Sequence, residues 1–242
     1  MVFETTVRDG VCRLQRPETR WLSTGYGGGE SHGPVAYNVT VPEGWPETDL
    51  DRYIRERRQR AGFDDPGPAL LTGVEQRHAR RARLGPVEAV VTAGVSNPAT
   101  LPLDSATETV VDGSSTADGH RLGTVNVVVG TTRSLVPGAL ANLLTVVAEA
   151  KTATLLAKTG FTGTTTDAVV VACDPAGEAA AFTGSATEVG AAARACVRDA
   201  LVASLDSRYA VGDVDLPESV AGAEYGVVTD ERAAVSRLGP PN

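Results

Sequence analysis

The chain has 242 residues, of which 42% are hydrophobic and 21% charged, so it is long enough to bury a sizeable core. Its formal net charge of −8 argues against a nucleic-acid-binding protein, which needs a basic face to displace phosphate counterions. Lys151 and Lys158 are the only lysines beside many arginines, a bias produced both by salt adaptation and by a GC-rich genome.

Apolar periodicity along the chain predicts short strands, one short helix and two long helices. The predicted strands, in order, are 11–14, 21–23, 35–41, 70–74, 87–92, 124–129 and 168–172. A short arginine-rich helix follows a cap at Thr48 or Asp49 and runs through Arg60. The two long helices are predicted from Pro137 to Gly160, and from Thr187 to about Leu205. Residues 99–120 are predicted to form a surface loop.

The order of these elements is irregular, without a repeated strand–helix–strand unit. It predicts an α+β or mixed α/β fold in which helices are layered on a sheet. We expect one domain over residues 1–210, followed by an acidic tail with glycine and proline over residues 211–242.

Several common motifs are missing from the sequence. Gly25 and Gly27 lack the third glycine of a dinucleotide-binding loop, and no Gly-Lys-Ser/Thr segment is present. The three histidines and the three cysteines are scattered, so we predict reduced thiols and no protein-bound metal. The N-terminus has no apolar leader, and no run reaches the ~18 apolar residues of a membrane span, so we expect a cytoplasmic protein.

Lys151 is unusual because it falls among leucines and valines on the apolar face of the first long helix, together with Lys158. Its stem can pack while the ammonium reaches water at the edge of the core. Alternatively, a partly buried ammonium can orient a carboxylate or stabilise an oxyanion. Glu149 points to the opposite side of an isolated helix.

A threonine-rich turn precedes the strand at 168–172. Thr164, Thr165 and Thr166 place hydroxyls beside Asp167 at the point where that strand begins. Such a turn is stabilised by hydrogen bonds between side chains and backbone, or it positions a nucleophile or a water molecule.

Two other strand ends carry similar polar residues. Ser23 and Thr24 precede a glycine run that includes Gly27 and Gly28, and Asn97 follows the strand at 87–92. Glycines let backbone N–H groups approach a ligand closely. Three such strand ends in one chain predict that they converge on a site.

At these residues the chain resembles the adenosylcobinamide amidohydrolases of cobamide salvage. The landmarks that carry the resemblance lie in order over residues 20–205. They are Leu22-Ser-Thr-Gly, Val91-Thr-Ala-Gly-Val-Ser-Asn, Gly123-Thr-Val-Asn-Val-Val-Val, Ala148-Glu-Ala-Lys-Thr-Ala and Thr162-Gly-Thr-Thr-Thr-Asp-Ala-Val-Val-Val-Ala. Their joint order and spacing are specific, although each is weak alone.

The resemblance implies hydrolysis of the amide that joins the aminopropanol arm of adenosylcobinamide, or a related corrinoid, to a propionyl side chain of the corrin ring. Cobalt is then carried by the substrate, and no further cofactor is implied. The expected catalytic residues are Asp167, Lys151, Glu149 and Thr166. The expected substrate-binding residues are Ser23, Thr24, Gly27, Gly28, Asn97, Thr164 and Thr165.

Other interpretations stay open at this point. A fainter similarity to ornithine acetyltransferases and β-aminopeptidases implies an α/β/β/α sandwich and a Thr or Ser nucleophile, hence an acyltransferase or peptidase-like enzyme. A non-catalytic corrinoid-binding protein is the third interpretation. The sequence leaves open whether the protein is a monomer or a homo-oligomer. The family's Gly-Thr-His-Thr-Lys-type turn is replaced here by Gly184-Ser-Ala-Thr-Glu188.

Overall fold

The computed structural model describes residues 2–42, 49–103, 123–210, 215–223 and 225–238. The strands in these ranges are β1 (Glu4–Arg8), β2 (Val11–Ser23), β3 (Gly29–Thr40), β4 (Ala69–Thr72), β5 (Arg80–Leu84), β6 (Val87–Ala93), β7 (Pro98–Thr100), β8 (Val125–Thr131), β9 (Ser134–Leu135), β10 (Gly163–Thr164), β11 (Ala168–Cys173), β12 (Ala179–Ala180) and β13 (Val227–Val228). The helices are α1 (Leu50–Arg60), α2 (Pro137–Thr159) and α3 (Glu188–Tyr209).

An eight-stranded mixed sheet organises the chain, in the order β4-β3-β2-β11-β8-β6-β5, with β1 paired to β2. Helices α2 and α3 cover one face of β11, β8, β6 and β5. Alternate residues of these strands, such as Val91, Val127 and Val171, pack against Leu143 of α2 and Leu201 of α3. The apolar stripes of both helices are buried in this way, which is the main source of their stability.

The other end of the sheet folds back over its own central strands. Strand β2 has a register irregularity between Gln15 and Thr19, and such a bulge bends a strand. Trp21 therefore packs with Val90 and Val128, although strands β6 and β8 are not hydrogen-bonded neighbours of β2. A hydrogen bond also joins the two parts of the sheet that face each other: Asn126 of β8 donates to the carbonyl oxygen of Leu71 in β4 at 2.9 Å.

Helix α1 lies on the outer face of β3, where its Tyr53 and Ile54 pack with Tyr37 and Phe63. The layers are therefore α2 and α3, sheet, folded-back sheet, and α1. This arrangement confirms the predicted mixed, layered α/β sandwich.

The helix ends follow their sequence signals. The Asp49 side chain accepts from the Arg52 N–H at 3.0 Å, Pro137 is the first residue of α2, and Gly160 ends it at φ +79°. Helix α3 runs four residues beyond the predicted end at Leu205. Helix α2 is long and apolar enough to cross a membrane by length and composition alone, contrary to the sequence expectation, and 44% of its apolar stretch is buried inside the protein.

Several predicted strands were wrong in extent or were missed. The segments 11–14 and 21–23 are one strand of 13 residues, and β3 begins at Gly29, the last residue of the glycine run, which pairs with Ser23 of β2. The arginine-rich β5 and the half-exposed β1 lack an apolar pattern and were not predicted. Most of the predicted 99–120 loop lies outside the described residues. Part of the predicted tail returns as β13, which pairs with β7.

Candidate functional site

The polar strand ends meet at one edge of the sheet. Strand β2 ends at Ser23, which is paired with Val170 of β11. Ala168, at the start of β11, is opposite Asn126 of β8, and Ala93, at the end of β6, is opposite Val125. The chain segments that carry the predicted site residues thus leave or enter four neighbouring strands at the same edge.

Lys151 and Asp167 form a largely buried ion pair at this edge. The Lys151 ammonium donates to Asp167 Oδ2, and each side chain is 11% exposed. Lys151 comes from the sheet-facing side of α2, whereas Asp167 comes from the turn between β10 and β11. The ammonium therefore does not simply extend into water, which was one of the two interpretations of its position.

The Asp167 carboxylate also accepts three hydrogen bonds from its surroundings. The N–H groups of Val125 and Thr164 donate to it at 3.1 Å each, and the Thr164 hydroxyl donates to Oδ1. An ionised carboxylate has about four acceptor positions, so these donors together with Lys151 occupy its capacity. The carboxylate is held in one orientation by two strand ends and one helix.

Gly163 closes the space beside the pair. A Cβ at this position would lie 2.8 Å from Asp167 Oδ2 and 3.5 Å from Lys151 Nζ. A side chain there would displace either the carboxylate or the ammonium. Sequence analysis missed Gly163, although its position inside the Thr-Gly-Thr landmark was a usable signal.

Thr165 and Thr166 are exposed at the same edge, beyond the pair. The Thr165 N–H donates to the Asn97 carbonyl oxygen at 3.1 Å, which fixes the turn against the segment after β6. The Thr166 hydroxyl lies 3.1 Å from the Thr124 hydroxyl and donates to the Gly123 carbonyl oxygen at 3.2 Å. Thr124 was also missed as a member of this group.

Ser23 and Thr24 join this edge to the folded-back part of the sheet. The Thr24 hydroxyl accepts from the Val169 N–H at 2.9 Å, and the Ser23 hydroxyl accepts from the Gly25 N–H at 3.1 Å. The backbone of Thr24 also donates to the Val169 carbonyl oxygen at 2.9 Å. The end of β2 is thereby fixed two residues from Asp167.

A cavity of about 630 Å³ opens on the other side of Ser23. Its wall is formed by the glycine turn after β2, the first half of β3, one side of α1 and the segment 66–69. Gly27 and Gly29 have φ of +60° and +112°, and a Cβ on Gly28 would lie 2.4 Å from the Ser23 carbonyl oxygen. The turn therefore requires glycine at all three positions.

Two sequence expectations lie away from this edge. Glu149 is 57% exposed and its carboxylate is 3.6 Å from Arg194 of α3, so the structure does not bring it to Lys151. The turn at 184–188 follows Thr183, whose hydroxyl donates to the Ala139 carbonyl oxygen. Ala139 precedes Lys151 by twelve residues of α2, about 18 Å. A histidine in that turn would lie far from the ion pair.

The remaining sequence expectations concern metals and thiols. In the part of the chain that the structure describes, no three His, Cys, Asp or Glu side chains are grouped as metal ligands would be. Cys12, Cys173 and Cys196 are buried, and none of the three forms a disulfide. Burial raises the pKa of the Cys12 and Cys196 thiols to about 11, so both are held as thiols.

Comparison with known proteins gives consistent matches over most of the chain. Residues 2–213 match the model of the CbiZ family, adenosylcobinamide amidohydrolase. An adenosylcobinamide amidohydrolase of Halobacterium salinarum is 54% identical over 240 residues, covering 98% of this chain and 100% of that protein. One of Methanosarcina mazei is 28% identical over 197 residues, covering 77% of this chain and 90% of that protein.

Proposed function

The chain belongs to the adenosylcobinamide amidohydrolase family, and from this premise we propose how its residues act in hydrolysis of the aminopropanol amide. The reaction adds water across the C–N bond of adenosylcobinamide and yields adenosylcobyric acid and aminopropanol. Its transition state places negative charge on the carbonyl oxygen, and the leaving amine takes up a proton.

The observation that carries the assignment is the buried ammonium of Lys151. One of its three N–H groups is used by Asp167, and the side chain keeps 11% of its surface accessible. A fixed cation at a partly dry site stabilises a developing oxyanion more strongly than a solvated one does. We assign Lys151 to this role at the scissile amide.

Asp167 acts as a positioning residue in this proposal. Its acceptor positions are filled by Lys151, Val125 and Thr164, so it has little capacity left to take a proton from water. It holds the ammonium in place and, through Thr164, fixes the turn that carries the exposed threonines.

The exposed hydroxyls and the cavity are assigned to substrate contact. Thr165 and Thr166 are exposed in the turn that carries Asp167, and Asn97 is buried, with its carbonyl oxygen accepting from the Thr165 N–H. Ser23, Thr24, Gly27 and Gly28 lie at the end of β2 and in the turn that follows it. The Thr166 hydroxyl donates to a carbonyl oxygen, which favours water over Thr166 as the attacking group. Glu149 is left out because it pairs with Arg194 on another surface.

Cobalt enters this reaction as part of the substrate, and we propose that hydrolysis needs no metal bound by the protein. We also propose that the enzyme works in the cytoplasm, where its thiols stay reduced. Every residue assigned a role here belongs to one chain, so the proposed mechanism is the same for a monomer and for a homo-oligomer.

The test is incubation of the purified protein with adenosylcobinamide in concentrated salt, with the products identified by mass. We expect adenosylcobyric acid and aminopropanol, at an unchanged rate when a chelator is present. Tight binding of the corrinoid without product would instead indicate a non-catalytic binding protein. Loss of activity in chelator that added zinc restores would contradict the metal-free mechanism.

A further inference from the structure

The cavity beside Ser23 is separate from the ion pair and has chemistry of its own. Tyr26 of the glycine turn and Asp51 and Arg55 of α1 line it and are all exposed to solvent, and we call this part of the lining its mouth. We propose that this cavity binds the adenosine group of the substrate, with Tyr26, Asp51 and Arg55 as the recognition residues. The inference rests on the proposed function and assigns a subsite that amide hydrolysis itself does not require.

The size of the cavity limits what it can hold. About 630 Å³ is within the usual range for a pocket that takes a small organic group. A purine nucleoside fits within that volume, whereas a corrin macrocycle with its side chains does not. Of the two large parts of the substrate, the cavity therefore suits the nucleoside.

The lining supplies the groups that recognise a nucleoside. Tyr26 is exposed on the turn, and Arg55 is exposed on α1, so a ring and a guanidinium are both available to stack on a purine. The Tyr26 hydroxyl lies 3.4 Å from Asp51 Oδ2, which brings the turn and α1 together at the mouth. A carboxylate in this position can accept hydrogen bonds from the two ribose hydroxyls.

The position of the cavity suits a substrate that spans both sites. Ser23 lines the cavity, and the next residue, Thr24, is hydrogen-bonded to Val169. Asp167 lies three residues before Val170, the partner of Ser23 in β11, so the backbones of Ser23 and Asp167 are separated by ~10 Å along the strand at ~3.3 Å per residue. A corrin ring whose adenosyl group is bound in the cavity can then present its side chain to Lys151.

The first test measures binding without turnover. 5′-Deoxyadenosine is titrated calorimetrically into the wild-type protein and into the Tyr26→Ala and Arg55→Ala variants. We expect wild-type binding and a loss of about tenfold or more in each variant, since stacking contributes ~1–3 kcal/mol per base. Arg52→Ala is the matched control, because Arg52 is on the same helix, pairs with Glu56 and does not line the cavity.

The second test uses hydrolysis. The KM of adenosylcobinamide is compared with that of cobinamide carrying cyanide in place of the adenosyl group. We expect the wild type to prefer the adenosyl form, and Tyr26→Ala and Arg55→Ala to lose that preference with kcat on the cyano form unchanged. No binding of 5′-deoxyadenosine to the wild type, or an equal KM for both substrates, would overturn the proposal. Nucleoside binding without any hydrolysis would refute the proposed function and leave the subsite standing.

Discussion

Lys151 and Lys158 lie on the same helix, seven residues apart, and both form an ion pair with an aspartate, yet their surroundings differ. Lys158 and Asp206 of α3 are 43% and 56% exposed and 2.9 Å apart. Lys151 and Asp167 are each 11% exposed, and Asp167 has three further hydrogen-bond donors. Seven residues are close to two helical turns, so the two lysines point in nearly the same direction.

The difference shows that burial and neighbouring hydrogen bonds change what a lysine–aspartate pair contributes to the protein. An exposed pair such as Lys158–Asp206 contributes about 0–1 kcal/mol and is screened by salt. A buried pair must offset the desolvation of both charges, so its presence is weak support for a role in stability. This desolvation cost is expected if the charge of Lys151 is used in catalysis. The following substitutions test whether the buried pair and the exposed pair differ in this way.

Replacing Lys151 with Met should have the largest effect on activity. The stem remains but the charge is lost, and we expect kcat to fall by about 10²- to 10³-fold, the usual cost of one oxyanion-stabilising group. KM should change little if the ammonium acts on the transition state. The measurement is steady-state kinetics on a variant shown to be folded by circular dichroism. A folded, fully active Lys151→Met would exclude Lys151 from the mechanism.

Replacing Asp167 with Asn should lower both activity and stability. The amide NH₂ would face donors such as the Val125 and Thr164 N–H groups, and the Lys151 ammonium would lose its partner. We expect a loss of about 10²-fold in kcat because the ammonium is no longer held in position, and a decrease of about 3–5 kcal/mol in the free energy of unfolding, as for other broken buried pairs. Kinetics and urea denaturation on the same preparation test this. Reduced stability with normal kcat would limit Asp167 to a structural role.

Replacing Gly163 with Ala should have an intermediate effect. The new Cβ would lie 2.8 Å from Asp167 Oδ2, so the pair must shift by a few tenths of an ångström. Because catalysis depends on such distances, we expect kcat to fall by about tenfold. Gly138→Ala is the control, since its Cβ would meet nothing within 4 Å. Equal rates for both variants would mean that the geometry of the pair does not limit the reaction.

Replacing Lys158 with Met should have the smallest effect. We expect kcat within about twofold of the wild type and a stability change within about 0.5 kcal/mol, which disappears in concentrated salt. Thermal unfolding at low and high salt, with kinetics, measures both. A loss of activity as large as that of Lys151→Met would contradict the expectation that the buried lysine, and not the exposed one, serves catalysis.

The sequence was most informative where one local signal decides the structure. Pro137 and Gly160 mark the two ends of α2. The apolar periodicity correctly predicted that Lys151 lies on the buried side of this helix. The same period aligned Lys158 with the apolar face, yet Lys158 is 43% exposed, because periodicity gives the direction of a side chain but not what covers it. The sequence named Lys151 and Asp167 separately, but the ion pair between them depends on how α2 packs against the start of β11.

Other parts of the fold depend on contacts that no local pattern records. The bend in β2 comes from a bulge near Pro17, and the interrupted pattern there predicts two strands where the structure has one. Strand β5 is held by pairing with β6 rather than by its own arginine-rich sequence. The convergence of polar strand ends was predictable from their shared composition, whereas the cavity depends on α1, which is far from them in sequence.

The end of β2 also has a consequence for how substrates are selected. Ser23 and Thr24 are adjacent in the chain, and one faces the cavity while the other is tied to the strand that follows Asp167. The separation between the backbones of Ser23 and Asp167 is therefore set by covalent backbone and by strand pairing, and it does not change with side-chain rotation. In an enzyme built in this way, a molecule is accepted by its length as well as by its chemistry. With the adenosyl group in the cavity and Lys151 at the amide, as proposed above, we expect a corrinoid with a shorter or longer arm to be hydrolysed poorly even with its other contacts intact.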